Sequence, residues 1–328
     1  MDSNHPIESH RTLCLGMQES AKRLAAAGAT IVLTARSVAK GEKSVEAVQS
    51  YLTEKSVTGS KVFSLVLDLD DLASVKAFPD SYKKLGLGDI DVLMNNAGVM
   101  AIPDRQLTKD GFERTFQSNH LGHFVLTAGL FPFLSRSKAT VINVSSEAYQ
   151  FTGGKFDLDN LNGEKKYGAW SSYGLSKLAN ILFTQELQRR ADASGDSSWL
   201  TAVTLHPGAV QTDLGRNIAG EEKWEKLKTN EITLSPVESF LLNTASKFTL
   251  TVPQGASTQV YLAAGADGAL KKGAFYEDLK AKNLPAFAND EAKAKQLWEI
   301  SEQLGGVEFK IEKPVETQAP PSPEESSA

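Results

Sequence analysis

The sequence predicts a single α/β domain built on a doubly wound, mostly parallel sheet. Short β-branched runs alternate with longer amphipathic stretches over most of the 328 residues, and parallel strands need crossovers of that length. The strand runs are apolar on both faces, as happens when helices cover both sides of a sheet. Composition agrees, with 41% hydrophobic and 23% charged residues. A formal net charge of −5 offers nothing to nucleic acid or anionic lipid. The single cysteine, Cys14, excludes an internal disulfide framework and any cysteine-based metal cluster, and it fits a reducing, cytoplasmic setting. The most apolar stretch, Phe124 to Leu134, is too short for a membrane span, and MDSNHPIESHR lacks the layout of a signal peptide.

Residues 1–17 form an atypical opening. MDSNHPIESH has no strand character, and RTLCL is too short to serve as both a strand and a loop. A helix over Gln18–Ala27 follows, stopped by Gly28, and then the strand TIVLTA at Thr30–Ala35. Next come a helix over Val38–Leu52, a strand within Lys61–Leu69, a helix over Leu72–Leu85 and a strand at Ile90–Met94. Gly111–Leu134 reads as one long helix, Thr140–Val144 as a strand, Ser172–Ala191 as a helix and Leu200–Leu205 as a strand. Residues 209–250, with Gly215, Gly220, an EEKWEK run and Pro236, read as a mobile insertion over the substrate side. Pro253 opens a helix running to Ala264, and Gly305 closes the last helix at Leu304. The domain thus spans 18–306. The remainder, 307–328, closes in ETQAPPSPEESSA, too poor in aliphatic residues to offset the entropy of ordering, and is expected to be a disordered tail.

YGLSK, Tyr173 to Lys177, carries the clearest chemistry. Its spacing of four puts both side chains on one helical face. An ammonium there favours the phenolate and lowers the tyrosine pKa toward the range of a general acid–base. By itself such a pair is equally an accident of the surface. Upstream, NVSS places Ser145 and Ser146 at the carboxyl end of a strand, the edge where doubly wound sheets bind ligands, although serines also simply end strands. MNNAGVM follows another strand, where small residues let the backbone approach a flat ligand and the amides can tie strands together. In FQSNHLGHF, Asn119 sits amid an apolar helical rhythm, so its amide needs partners, either a water chain or a neighbouring lysine. Trp170, Tyr167 and Trp224 flank this region and either line an apolar pocket or pack the loops. His120, His123 and His206 have no second ligand at metal spacing, so no metal is expected.

Taken in order, NNAG, SNHLGHF, NVSS, YGLSK and HPGAVQT resemble the short-chain dehydrogenase/reductase family, whose fold is of Rossmann type. TARSVAKGEK, KLANILFTQELQRR and HPGAVQTDLGRN are similar to its retinol-dehydrogenase and WW-domain-oxidoreductase branch. The resemblance spans Gln18 to Leu304. It implies a catalytic tetrad of Asn119, Ser146, Tyr173 and Lys177, with Tyr173 exchanging the hydroxyl proton, Ser146 binding the substrate oxygen and Asn119 holding a relay water. Lys177 would lower the pKa of Tyr173 and hold the nicotinamide ribose. Pro207, Gly208 and Thr212 would meet the nicotinamide end of the cofactor, Asp68 the adenine, and Asn95, Ala97 and Gly98 the adenosine ribose. Arg36 stands where an arginine pairs with a 2′-phosphate, favouring NADP(H) over NAD(H), unless it is a solvated turn residue. A lipophilic alcohol or carbonyl substrate and pairing of two chains through the helices after Gly111 and Ser172 are also implied.

One family motif is missing. The turn TGxxxGxG grips the pyrophosphate with backbone N–H groups, and alignment on AKRLAAAGA puts Arg11, Leu15 and Met17 at its glycine positions. Either the N-terminal segment is an altered product of the gene or the protein has lost the phosphate grip. The first strand is expected to be absent or altered along with the turn, and its absence would leave the neighbouring strand edges unpaired. A catalytically silent relative acting as a binding protein is the alternative to an enzyme.

Overall fold

The structure, a computed structural model, describes residues 10–15, 18–134, 136, 138–195, 197–208, 250–265 and 270–312. Among them are eight strands: β1 (Arg11–Leu15), β2 (Thr30–Ala35), β3 (Val62–Val66), β4 (Val92–Asn95), β5 (Ala139–Val144), β6 (Leu200–Leu205), β7 (Phe275–Glu277) and β8 (Lys280–Lys282). They form one sheet in the order β3-β2-β1-β4-β5-β6-β7-β8, parallel throughout except for the β7–β8 hairpin. The chain leaves β1 toward β2 on one side and returns to β4 on the other. The carboxyl ends of β1 and β4 therefore border the crevice where such sheets take ligands.

The first strand is present, contrary to expectation. RTLCL lies at the centre of the sheet, with Arg11 opposite Thr30 and Thr12 opposite both Ile31 and Val92 of its two neighbours. Arg11 anchors the register. Its backbone N–H donates to Asp91 Oδ2 at 2.7 Å, its Nε to the same oxygen at 2.9 Å, and its Nη1 to the Leu87 carbonyl at 3.2 Å. Thr12, Leu13 and Cys14 are fully buried behind it, so neither neighbouring strand edge is left unpaired. Arg11→Ala is expected to lower stability by ~1–3 kcal/mol, the scale of a charge-assisted hydrogen bond cluster at a half-buried site. Urea unfolding measures it, and an unchanged midpoint would remove the anchor from the account of the fold.

Eight α-helices pack on the sheet among the described residues: α1 (Gln18–Ala26), α2 (Val38–Glu54), α3 (Leu72–Lys84), α4 (Arg114–Phe116), α5 (Gly122–Leu134), α6 (Ala169–Ala193), α7 (Val252–Ala264) and α8 (Glu291–Gly305). Ser37 caps α2, Asp71 caps α3, and Thr251 with Gln254 forms a capping box on α7, where Pro253 sits in the first turn as expected. Alternate strand residues feed opposite layers. Leu13, Leu93 and Val141 face α3, α5, α6 and α8, while Cys14, Met94 and Ile142 face α1, α2 and α7.

The helix expected over Gly111–Leu134 is broken. Buried Glu113 turns its carboxylate onto the N–H groups of Thr115 and Phe116, starting α4, and a wide π-type turn at Gln117–Leu121 separates α4 from α5. Gly306, in the left-handed region at φ 57°, rather than Gly305, caps α8. Residues 307–312, expected within the tail, are described and include a packed aromatic. Phe309 is 3% exposed, stacks on Trp298 at 4.8 Å and meets Phe124 and Phe131, while its N–H donates to the Glu302 carboxylate. The stretch from 313 onward lies outside the described residues, as do Gly16, Met17 and the insertion at 209–249.

Candidate active site

Ser146, Tyr173, Lys177 and Asn119 come together at the carboxyl ends of β4 and β5. Ser146, two residues past β5, is in extended backbone and caps the short helix Glu147–Thr152, its Oγ accepting from the Ala148 N–H at 3.2 Å. It also shares a side-chain hydrogen bond with Tyr173, which stands in the first turns of α6 and is 6% exposed. One turn later on the same face, Lys177 is 4% exposed. Its Nζ donates to the Val144 carbonyl at 3.1 Å and lies 5.5 Å from the centre of the Tyr173 ring. Ser145, adjacent to Ser146, is bound structurally, its hydroxyl donating to the Lys177 carbonyl at 2.8 Å. Gly174 lets α6 approach so closely that a Cβ there would lie 2.4 Å from the Ala148 carbonyl oxygen.

Asn119 projects from the π-type turn, and its protein partners are Val99 and Ser176 rather than the lysine. Its Oδ1 accepts from the Val99 N–H at 2.8 Å, and its Nδ2 donates to the Val99 carbonyl at 2.9 Å and to Ser176 Oγ at 3.0 Å. The amide therefore fixes the strand-end loop of β4 and touches α6 next to Lys177. Gly98 is required by this arrangement: a Cβ there would sit 2.7 Å from Asn119 Oδ1 and 3.7 Å from Lys177 Nζ.

The electrostatics depart from the spacing argument. Burial holds the Tyr173 hydroxyl above the usual tyrosine range, and only the Ser146 hydrogen bond pulls it down. Burial also lowers Lys177 to about 8, so its cation is discharged by modest alkalinity. His123 is lowered to about 3 and His120 to about 4, both by burial, and both are neutral at any working pH. Each is tied internally: His123 Nδ1 to the Asn119 carbonyl at 2.9 Å, His120 to Asn180 and Ser301. His206 is lowered in the same way by burial.

The residues expected along a dinucleotide are placed unevenly. Gly98 is exposed, Ala97 and Asp68 are half-buried, and Arg36 is exposed just past β2. The Asp68 carboxylate accepts from the Asp70 N–H at 3.0 Å. The Asn95 side chain is not at the edge. It is fully buried and donates to Asn143 Oδ1 at 2.9 Å and Thr127 Oγ1 at 3.0 Å, tying β4 to β5 and α5, so only its backbone can line a ribose. Pro207 and Gly208 follow β6, and Gly208 has φ +83°, a left-handed turn that favours glycine. Thr212 and Trp224 lie outside the described residues. Of the aromatic residues, Tyr167 packs a loop by donating to the Ile102 carbonyl at 2.7 Å, whereas Trp170 is 43% exposed with its ring 6.4 Å from that of Tyr173.

A family model for short chain dehydrogenases matches residues 15–223. Retinol dehydrogenase 12 of Mus musculus is 34% identical over 297 residues, covering 89% of this chain and 83% of that protein. The WW domain-containing oxidoreductase of Gallus gallus is 37% identical over 295 residues, covering 87% of this chain and 64% of that protein. The chain belongs to the short-chain dehydrogenase/reductase family. A crystal structure of an uncharacterized protein from Mycobacterium paratuberculosis matches with a TM-score of 0.68 and 32% identity, over 95% of this chain and 98% of that one.

For a short-chain dehydrogenase, the nicotinamide and diphosphate ends of the cofactor site differ. At the nicotinamide end the residues fit: Lys177 and Tyr173 stand together at the sheet edge, with the Lys177 ammonium beside the Tyr173 ring. At the diphosphate end they do not. The sequence there offers one glycine, Gly16, where the motif has three, and α1 carries acidic Glu19 in its first turn, where a helix N-terminus would meet an anion. Among the described residues no helix is long and apolar enough to cross a membrane.

Proposed function

We propose that the protein is an NADP(H)-dependent oxidoreductase that interconverts an alcohol and a carbonyl on a lipophilic small molecule. The observation that carries this is the meeting of Ser146, Tyr173, Lys177 and Asn119 at one sheet edge, in mutual contact or one residue removed. When bound, the nicotinamide supplies or accepts the hydride. The chain's own residues do the rest. The hydrogen bond between Ser146 and Tyr173 presents two hydroxyls side by side, a pair that can hold one substrate oxygen. Tyr173 gives a proton to that oxygen as the alcohol forms and takes it back on oxidation. Lys177, on the same face, stabilises the phenolate while it is charged. Asn119 fixes the loop through Val99 and so keeps Gly98 against the site.

The lipophilic substrate class is supported by the retinol dehydrogenases among the relatives and by exposed Trp170 beside Tyr173. Cytoplasmic placement rests on the single, buried, unpaired Cys14. Pairing of two chains through α5 and α6 belongs to the same proposal. Turnover is tested by screening lipophilic alcohols and aldehydes with each nicotinamide cofactor. A chain that binds cofactor yet converts nothing across a broad panel would overturn the enzymatic role. The short β1–α1 connection favours a second possibility, a catalytically silent relative that works by binding.

Arg36 would contact the 2′-phosphate, with Ser37 beside it capping the start of α2. NADPH is therefore expected to bind better than NADH by ~1–3 kcal/mol, the scale of a charge-assisted contact. Arg36→Asp should erase or reverse the preference in a fluorescence titration. Equal affinities in the unaltered protein would show that Arg36 only faces solvent. Asp68 would contact adenine, the backbone of Asn95 with Ala97 and Gly98 the adenosine ribose, and Pro207, Gly208 and Thr212 the nicotinamide.

A further inference from the structure

Lys177 does not hold the Val144 carbonyl alone. Asn180, three residues along α6, donates its Nδ2–H to the same oxygen at 3.1 Å. The other end of that amide, Oδ1, faces His120 Nδ1 at 3.3 Å, and the opposite ring nitrogen of His120, Nε2, meets Ser301 Oγ of α8 at 2.9 Å. All four side chains are buried, Lys177, Asn180, His120 and Ser301 being 4%, 2%, 0% and 0% exposed. His120 is enclosed by Phe116, Phe124 and Phe183, with ring centres 5.3, 6.3 and 6.0 Å away. It is neutral, since burial lowers it to about 4. A neutral imidazole has one N–H. Only one proton arrangement satisfies the whole chain: Ser301 donates to Nε2, Nδ1–H donates to Asn180 Oδ1, and Asn180 Nδ2–H donates to Val144.

We propose that His120, fixed by Ser301, sets the orientation of the Asn180 amide and is thereby a positioning residue for Lys177. An asparagine amide can turn over within nearly the same space, exchanging donor for acceptor. Turned over, Asn180 would direct its oxygen at the Val144 carbonyl and at the lysine. Two oxygens repel, and an ammonium beside them bridges both. Lys177 would then be drawn away from Tyr173 and held more firmly in its charged form. In the observed orientation the amide N–H shares that acceptor with the lysine and presents no oxygen to it, so the amide adds nothing to offset the burial that lowers Lys177. The other groups facing Lys177 are Tyr173 on its own helix, Asn119 from the π-type turn, His123 on α5 and His206 after β6. None of them is an anion at neutral pH that would already saturate the cation.

The functional meaning rests on the role proposed above for Lys177, but the test does not. The full chain is produced with 13C-labelled lysine, and the Lys177 side-chain signal, identified by its loss in Lys177→Arg, is titrated by NMR. His120→Leu removes the donor to Asn180 and is expected to raise the Lys177 pKa from about 8 by at least one unit, a tenfold gain in proton affinity. In an Asn180→Leu background, His120→Leu should cause no further shift, since no amide is left for the imidazole to orient. Ser301→Ala, a milder change on a distant helix, frees the imidazole to take its other tautomer and should shift Lys177 in the same direction by a smaller amount. It serves if His120→Leu does not fold. A Lys177 titration unmoved in folded His120→Leu, or in Ser301→Ala where only that variant folds, would overturn the proposal. A shift from His120→Leu that is just as large in the Asn180→Leu background would overturn it too. Loss of turnover in Tyr173→Phe bears on the oxidoreductase role and leaves this measurement untouched.

Discussion

Tyr173→Phe is expected to cut turnover by about 10²–10⁴-fold, the range contributed by a positioned general acid–base, while the protein keeps its fold. The substitution deletes one oxygen from a side chain already packed between α6 and the Glu147–Thr152 turn. The ring's contact with Trp170 and the placement of Lys177 against Val144 do not depend on that oxygen. What disappears is the hydroxyl paired with Ser146, and with it the group able to pass a proton to the substrate. The measurement is the rate on whichever lipophilic alcohol or aldehyde the unaltered protein converts, alongside a thermal melt. Activity surviving at near its original level would remove Tyr173 from the proton transfer. The pH dependence has a stated sign: Lys177 is charged below about 8 and neutral above, so any rate that relies on its cation falls as pH rises through that value.

The second large effect lies at the other end of the cofactor crevice. A diphosphate needs several backbone N–H donors presented together, and each charge-assisted bond is worth ~1.5–3 kcal/mol. Two residues between Leu15 and Gln18 cannot supply that set. The chain is therefore expected to bind NADPH at least about 100-fold more weakly than a variant in which a TGxxxGIG turn replaces Gly16 and Met17, the arithmetic of losing two such bonds. Keeping Arg11–Leu15 intact in that variant matters, because these residues are already the central strand. Fluorescence titration of both proteins decides it. Tight binding by the unaltered chain would mean that the diphosphate is held by other residues. A repaired chain that binds cofactor but converts no substrate would favour the silent relative.

Much of the architecture was legible because it depends on local pattern. Strands buried on both faces announce themselves as short β-branched runs, which places Thr30–Ala35 and Leu200–Leu205 within the chain to the residue. Where long-range contacts decide, the pattern is silent. Nothing within RTLCL shows that its charged first residue will find Asp91, 80 positions away, and become the hinge of the central strand. The π-type turn at Gln117–Leu121 preserves an apolar rhythm and so passes for continuous helix. The β7–β8 hairpin is three residues a side, and Lys280–Lys282 is wholly exposed, leaving no alternation to detect. Phe309 was overlooked because a single aromatic in a polar segment carries no period.

The candidate site divides in the same way. A spacing of four puts Tyr173 and Lys177 on one helical face, while the grouping of Ser146 and Asn119 with them is legible only through the family resemblance of their motifs. What holds them is not in the motifs. Asn119 is satisfied by both backbone groups of Val99, and the Val144 carbonyl is shared by two donors from one helix. The direction of the Tyr173 shift was likewise hidden, since a spacing of four locates the lysine but says nothing of the burial that opposes it.

A sheet completed by Arg11–Leu15 also changes how the protein answers to its surroundings. Proteins that fold around a dinucleotide gain stability with the logarithm of its free concentration, so their lifetime in a cell tracks the nucleotide pool. Here the central strand is secured by a salt bridge to Asp91 and by buried neighbours rather than by anything gripping a phosphate. Stabilisation by a ligand sets in only as its concentration passes its Kd. The melting temperature should therefore rise only at NADPH concentrations well above those the repaired chain needs, and abundance should answer correspondingly weakly to the nucleotide pool.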